Sequence, residues 1–305
     1  MATRQLKGLP DVRAFFHTNT EPLYFISPTP FNLLGIDRWV RNFYYLNYFD
    51  SFEGTHPRVF VPRKRDRRDF DSMGDVVNHL LSDPETLEFI ADRGPGGKAC
   101  FVMPDEETSG LARQAGLEVM EPPPELRHRL DSKVVMTRLA EEAGVPSVPH
   151  AIGRAGSYAE LLALASGAEL GDDLVVQDPY GNAGSGTFFL RGERDWDQCA
   201  AELTAQREVK VMKRIRNVEV CLEGAVTRYG TVVGPAMTSL VGYPELTPYR
   251  GSWCGNDVWR EALPPAQTRA AREMVRKLGD VLGRQGYLGY FEVDLLHDLD
   301  SDELY

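Results

Sequence analysis

The chain has 305 residues, of which 42% are hydrophobic and 26% are charged, a composition typical of a globular protein with enough apolar material for two domains. Its formal net charge of −11 argues against a nucleic-acid partner, because phosphate binding requires clustered Lys and Arg. No apolar run approaches the roughly 20 residues of a membrane helix, and the N-terminus lacks a signal-peptide pattern. The four cysteines show no CxxC spacing, so we expect a cytoplasmic protein. A basic run at 63–68 is interpreted as either a solvated loop or an anion- or partner-binding patch.

Short apolar strands alternate with helical segments in the first part of the chain. Strands are predicted at 23–27, 58–61, 99–103 and 117–120, and helices over 73–93 and 108–115. This alternation predicts an α/β domain with a parallel sheet. The triple proline at 122–124 marks the end of that domain.

The clearest helix covers 132–143, with Ser132 as a candidate cap and Gly144 and Pro146 as stop signals. The elements predicted after it are strands near 148–152, 174–177, 188–190 and 209–215, helices near 157–166 and 195–206, a hairpin of 218–227 and 231–238, a helix over 265–285 and a last strand over 289–296.

Two features on these elements suggest phosphate binding. Lys133 lies in the first turn of its helix, where free N–H groups and a lysine charge attract anions. The loop 181–187 is rich in glycine, so its backbone can approach a phosphate closely, and Ser185 and Thr187 add hydroxyl groups. The alternatives are a solvated surface lysine and a plain hairpin turn.

The last strand carries two acidic residues. Alternation places Glu292 and Asp294 on one face of a strand that is otherwise apolar. Two neighbouring carboxylates repel each other, and a bound magnesium ion would compensate for that repulsion. The alternative is a solvent-facing edge strand.

A substrate-side candidate lies at 242–257, where aromatic, polar and glycine residues are interspersed. Arg250 in this segment is suited to clamp a carboxylate. The alternative is a surface loop in which Tyr249 and Trp253 pack locally.

The order of four segments resembles the ATP-grasp superfamily, which includes biotin carboxylase and the carboxylate–amine ligases. The segments are Asp131 to Pro146, Leu174 to Thr187, Val211 to Ile215 and Gly286 to Asp294. The resemblance implies an α/β protein with an N-terminal α/β domain at 1–127 and an ATP-grasp domain at 128–305, whose two α+β subdomains clamp ATP. The lid subdomain is expected at about 148–211.

The resemblance also implies roles for individual residues. Lys133 corresponds to a lysine that contacts ATP phosphates, and Gln177 stands where the family commonly has another lysine. The lid loop corresponds to Gly184, Ser185, Gly186 and Thr187, and the strand that binds adenine to Lys213, Arg214 and Ile215. Glu219 lies near the ribose or the metal site. Asp294 matches the first magnesium ligand, with Glu292 as its neighbouring candidate.

The function implied is an ATP- and Mg²⁺-dependent, ADP-producing ligase. It would activate a substrate carboxylate as an acyl phosphate and join it to an amine, with Lys133 and Arg250 as catalytic residues. The alternatives are a biotin-carboxylase-type enzyme that uses bicarbonate, and a nucleotide-binding protein without ligase activity. The partners expected are small molecules, and a homodimer is compatible with the sequence. We also expect the full gene product to extend beyond Tyr305, into a second metal motif.

Overall fold

The computed structural model describes residues 8–63, 68–181, 184–258 and 261–305. The chain divides into two compact units, Met1–Glu125 and Leu126–Tyr305. Four residues of the basic run, 64–67, and two of the glycine-rich loop, 182–183, lie outside the described residues. Within the described part of the chain, every helix is too short or too polar to span a membrane.

The first unit is built on a five-stranded parallel sheet. Its elements are α1 (Leu9–His17), β1 (Leu23–Ser27), β2 (Phe43–Asn47), β3 (Val59–Phe60), α2 (Met73–Ser82), α3 (Pro84–Ala91), β4 (Lys98–Cys100), α4 (Glu106–Gln114) and β5 (Glu118–Val119). The strand order is β3-β2-β1-β4-β5. Alternate residues of β1 and β2 enter two separate hydrophobic clusters, one on each face of the sheet. The predicted parallel α/β arrangement is confirmed.

Two elements of this unit differ from the prediction. The helix expected over 73–93 is interrupted, because Pro84 has no N–H to continue α2 and Asp83 caps a new helix. The Asp83 carboxylate accepts hydrogen bonds from the N–H groups of Glu85 (2.9 Å) and Thr86 (3.1 Å). The strand β2 was not predicted.

The second unit contains two antiparallel sheets. The elements from the end of the first unit onward are α5 (Pro124–Asp131), α6 (Lys133–Glu142), β6 (His150–Gly153), α7 (Tyr158–Gly167), β7 (Leu174–Gln177), β8 (Thr187–Leu190), α8 (Glu193–Thr204), β9 (Val209–Lys213), β10 (Asn217–Thr227), β11 (Gly230–Val241), β12 (Trp253–Asp257), α9 (Pro265–Arg284) and β13 (Gly289–Asp298). The smaller sheet has the order β6-β9-β7-β8, and the larger sheet has the order β12-β11-β10-β13.

Each of these sheets packs one face against helices. In the smaller sheet, Val176 and Val211 belong to the cluster that α7 and α8 cover. In the larger sheet, Leu222 and Leu295 pack against residues of α9. Because side chains alternate along a strand, the residues between these apolar positions project from the opposite faces.

Two further features of the larger sheet bear on the prediction. The segment 242–257 is not entirely a loop, because its last five residues form β12 and pair with β11. Beyond β13 the chain folds back, and Tyr305 exchanges two backbone hydrogen bonds of 2.9 Å with Leu296.

Candidate functional site

The start of helix α6 is tied to the loop between β7 and β8. Ser132 caps the helix, and its Oγ accepts a hydrogen bond from the Val135 N–H at 3.4 Å. Lys133 is the first helical residue, and its N–H donates to the Pro179 carbonyl at 2.8 Å. The Lys133 ammonium donates to the Gly181 carbonyl. The lysine therefore reaches from the helix N-terminus to the glycine-rich loop.

Lys133 is partly buried, and burial lowers the pKa of its ammonium. The carboxylates of Asp178, Asp131 and Asp294 oppose that shift. Asp294 lies on β13 of the larger sheet, so Lys133 acts electrostatically on both the loop and that strand.

Asp178 organises the first half of the β7–β8 loop. Its Oδ1 accepts hydrogen bonds from the N–H groups of Tyr180 (3.1 Å) and Gly181 (2.5 Å). The Asp178 N–H donates to the Gly186 carbonyl at 2.9 Å. The two ends of the loop are therefore held together by side-chain and backbone hydrogen bonds.

The second half of the loop requires glycine. Gly184 and Gly186 have φ angles of +89° and +73°, in the left-handed region that other residues rarely adopt. Ser185 between them is exposed. Thr187 begins β8, and its Oγ1 accepts a hydrogen bond from the Gln177 Nε2 at 3.4 Å. The segment proposed as a phosphate lid is thus anchored at Gln177.

The end of β9 and the segment that follows it contain the residues predicted to bind adenine. The Lys213 N–H donates to the Pro149 carbonyl at 2.9 Å, and its side chain is exposed. The Arg214 N–H donates to the Asp173 carbonyl at 3.0 Å, and its guanidinium contacts the Asp173 carboxylate at 3.3 Å. Within the described parts of the chain, the N–H and C=O of Ile215 have no backbone hydrogen bond.

The open face of the larger sheet is acidic. In the register of β10 and β13, Cys221 lies opposite Asp294 and Glu223 lies opposite Glu292. Glu219 follows on the same face of β10. The sheet register therefore gathers four carboxylates, of which Glu223 was not predicted.

Three of these carboxyl groups have raised pKa values. Burial is the main cause for Asp294, where the Lys133 charge acts in the opposite direction. Burial also raises the pKa of Glu292 and Glu219, and the Asp294 charge raises both further. Asp294 and Glu292 remain solvent-accessible, so surrounding protein atoms hinder their hydration without closing the site. The face holds more negative charge than Lys133 offsets.

The carboxylates of this face suit magnesium better than they suit a cation whose ligands all come from the protein. Over the described ranges, no three His, Cys, Asp or Glu side chains gather around one metal position. Magnesium commonly takes one or two carboxylates and completes its coordination with waters and substrate phosphates. Asp294 and Glu292, with their mutually unfavourable charges, match that requirement.

Arg250 lies on the loop between β11 and β12, against the β7–β8 hairpin. Its guanidinium carbon is 5.0 Å from the centre of the Phe189 ring. The neighbouring Gly251 approaches Gly184 so closely that a β-carbon built on Gly184 would overlap the Gly251 carbonyl. Tyr249 and Trp253 in the same segment are 70% and 50% exposed. Phe189 was not singled out from the sequence.

Solved structures that match this fold include several enzymes. The biotin carboxylase domain of Hydrogenobacter thermophilus 2-oxoglutarate carboxylase, with MgADP, ADP and bicarbonate, matches with a TM-score of 0.64 and 13% identity, over 93% of this chain and 62% of that chain. An N5-carboxyaminoimidazole ribonucleotide synthetase in complex with ADP matches with a TM-score of 0.60 and 14% identity, over 94% and 68%. The Enterococcus faecalis VanG D-Ala:D-Ser ligase matches with a TM-score of 0.51 and 16% identity, over 68% and 62%. All three are ATP-grasp enzymes. The chain has the ATP-grasp fold.

No protein-family model matches the chain, and no curated protein sequence does. The chain spans about two thirds of the length of the matched structures, 62% to 68%.

Within the ATP-grasp fold, the predicted residues fall into three groups. The first joins Lys133 to the glycine-rich loop at Gly181, and the second is the acidic face that carries Asp294. The third is Arg250, which lies against the β7–β8 hairpin. The Lys213 side chain is exposed at the end of β9.

Proposed function

We propose that this protein is an ADP-forming ligase that uses ATP and Mg²⁺ to activate a carboxylate and then joins it to an amine. The observation that carries the proposal is the position of Lys133. Its ammonium is hydrogen-bonded to the glycine-rich loop at Gly181, and its charge acts on Asp294 of the acidic sheet face. A lysine at a helix N-terminus, between a glycine-rich loop and a carboxylate pair, suits a nucleoside triphosphate.

Each part of the site has a binding role in this proposal. The Lys133 ammonium binds the phosphates, and the backbone from Gly184 to Thr187 closes over them. Gln177 contributes a neutral hydrogen bond from the adjoining strand end. The N–H and C=O of Ile215 pair with the adenine edge, beside the backbone of Lys213 and Arg214.

Glu292 and Asp294 would hold magnesium, with Glu219 next to them on β10. A bound Mg²⁺ would offset the charge on the phosphates and on these carboxylates. The residues of the chain contribute position and charge, because phosphoryl transfer depends mainly on alignment and electrostatic stabilisation.

Arg250 is the candidate for the substrate carboxylate. It is exposed and, among the described residues, forms no ion pair, so its guanidinium can donate two hydrogen bonds to a carboxylate. In the reaction, a carboxylate oxygen attacks the γ-phosphorus of ATP, and ADP leaves. An amine then attacks the acyl carbon, and inorganic phosphate leaves with its electron pair. Lys133 stabilises the charge that develops on the transferred phosphoryl group.

Bicarbonate is a second candidate for the carboxylate. Two of the matched structures, a biotin carboxylase domain and a carboxyaminoimidazole ribonucleotide synthetase, cover 93% and 94% of this chain, whereas the D-Ala:D-Ser ligase covers 68%. The biotin carboxylase structure contains bicarbonate, which supports this second candidate. Small-molecule substrates and a cytoplasmic location form part of both candidates.

The test is release of ADP from MgATP by the purified protein. One set of reactions contains a panel of amino acids and peptides, and another contains bicarbonate with biotin or other amines. Lys133→Met serves as the matched variant, and we expect its ADP release to fall by about a hundredfold or more, as for loss of a major electrostatic contact. ATP binding without ADP release in any reaction would instead favour a nucleotide-binding protein without ligase activity.

A further inference from the structure

A second lysine is buried in the interior of strand β9. Lys210 is only 9% exposed, and its hydrogen bond to the Ser147 Oγ is long, 3.4 Å from Nζ. Among the described residues it forms no ion pair within 4.0 Å. Burial of a cation without a carboxylate partner is unfavourable, so the position calls for an explanation.

The strand register shows which way Lys210 points. On the neighbouring strand β7, Gln177 lies directly opposite Lys210, and Val176 lies opposite Val211. Val176 and Val211 both belong to the core under α7 and α8. Lys210 and Gln177 therefore project together from the other face of the smaller sheet. Gln177 is the residue that anchors the lid loop through Thr187.

Lys210 also lies close to Lys133. Helix α6 packs against β9, and the Lys133 charge contributes to lowering the pKa of Lys210. Burial is the main cause of that shift, and Glu141 of α6 opposes it. The Glu141 carboxylate is itself engaged with the His150 imidazole at 3.3 Å. The two ammonium groups thus act on each other, and the carboxylate that acts on Lys210 has another partner.

We propose that Lys210 is a second phosphate-binding lysine, which contacts the polyphosphate of ATP from strand β9 beside Gln177. The inference rests on the proposed function, because it assumes that ATP occupies this face. A polyanion is the ligand that two converging ammonium groups favour. Gln177 brings no charge to the face, and Lys210, its direct neighbour in register, does.

The competing explanation is structural. In that case Lys210 holds α6 against the sheet through Ser147 and the charge of Glu141. The two explanations differ in what removal of the charge does to the ligand-free protein. A structural lysine stabilises the fold, whereas a lysine kept for a ligand destabilises the fold until the ligand binds.

The test compares Lys210→Met and Lys210→Arg with the wild type and with Lys277→Met, a control on helix α9 that removes one positive charge elsewhere in the same unit. ATP affinity is measured by calorimetry and the melting temperature by circular dichroism without ligand. We expect Lys210→Met to bind ATP about tenfold or more weakly, as for loss of a charge-assisted contact. Its melting temperature should equal or exceed that of the wild type. Lys210→Arg should retain most of the affinity, and Lys277→Met should behave as the wild type in both measurements.

Three results would overturn the inference. One is wild-type ATP affinity in Lys210→Met. Another is a loss of affinity that is accompanied by a lower melting temperature, which would identify a structural residue. The third is a well-folded Lys210→Arg that binds ATP as weakly as the Met variant. If the wild type itself binds no ATP, the proposed function fails and this inference fails with it, a result distinct from the first three.

Discussion

A single methyl group at Gly184 should weaken nucleotide binding. Gly184 has a φ of +89° and packs against the β11–β12 loop. A β-carbon there would overlap the Gly251 carbonyl group and lie 2.9 Å from the Ser252 Cα. Those are backbone atoms, so no side-chain rotation can relieve the overlap. In Gly184→Ala the lid loop and the β11–β12 loop must move apart.

The free-energy cost of Gly184→Ala has two parts. An alanine in the left-handed region costs about 1–2 kcal/mol, and the overlap with Gly251 adds to this cost. If ATP binding uses the present loop conformation, that free energy corresponds to about a 5- to 30-fold loss of affinity. Calorimetric titration with MgATP measures the loss. Because the change affects one loop, the melting temperature should fall little.

Gly171 provides a matched control. It lies between α7 and β7 and has a φ of +77°, but a β-carbon there meets no atom within 4 Å. Gly171→Ala therefore carries similar backbone strain without the overlap, and it should lower stability while leaving ATP affinity unchanged. The reasoning would be refuted if Gly184→Ala bound MgATP as tightly as Gly171→Ala.

The other predictions address the metal, the fold and pH. Asp294→Asn should lose Mg²⁺-dependent ADP release. It should also raise the melting temperature, because it removes a carboxylate whose charged form is disfavoured there. Normal Mg²⁺-dependent turnover would show that another residue holds the metal. Gly110 lies inside α4, and a methyl group there meets no atom within 4 Å. Gly110→Ala should therefore stabilise the protein by about 0.5–1 kcal/mol in urea unfolding. The absence of this stabilisation would contradict the assigned helix. The pKa of Lys210 is lowered from 10.5 to about 8, so the unfolded chain binds more protons between those values and the wild type gains stability as pH rises from about 8 to 10.5. That gain, about 3 kcal/mol, should be absent in Lys210→Met when urea unfolding is compared across this pH range.

The sequence predicted those parts of the fold that depend on local signals. The buried run 23–27 is β1, and the cap and stop signals around 132–143 bracket α6. The helix over 73–93 was too long because its apolar spacing continues through Asp83 and Pro84, where capping chemistry restarts the helix. The end of the 242–257 segment became a strand because β11 supplies the pairing partner, which no local pattern reveals.

The residues of the candidate site also divide into those that a local pattern predicts and those that depend on strand pairing. The shared face of Glu292 and Asp294 follows from alternation along one strand, which the sequence displays directly. Lys210 and Glu223 were not predicted, because their positions in the site depend on the pairing of strands. Lys210 lies opposite Gln177, and Glu223 lies opposite Glu292. Residues that are far apart in the chain become neighbours only when the sheet order is known. Glu223 also accepts a hydrogen bond from the Tyr290 hydroxyl at 2.9 Å, a contact that no spacing rule predicts.

The charges of the site explain why nucleotide and metal should bind cooperatively. On the acidic face, burial and mutual repulsion raise the pKa of Glu219 and Glu292, while burial lowers the pKa of Lys133 and Lys210. ATP alone would satisfy the lysines but bring more negative charge toward the carboxylates. A magnesium ion alone would satisfy the carboxylates but leave the lysines unpaired. Only the two together offset both sets of charges, so each should increase the affinity of the site for the other by the same factor.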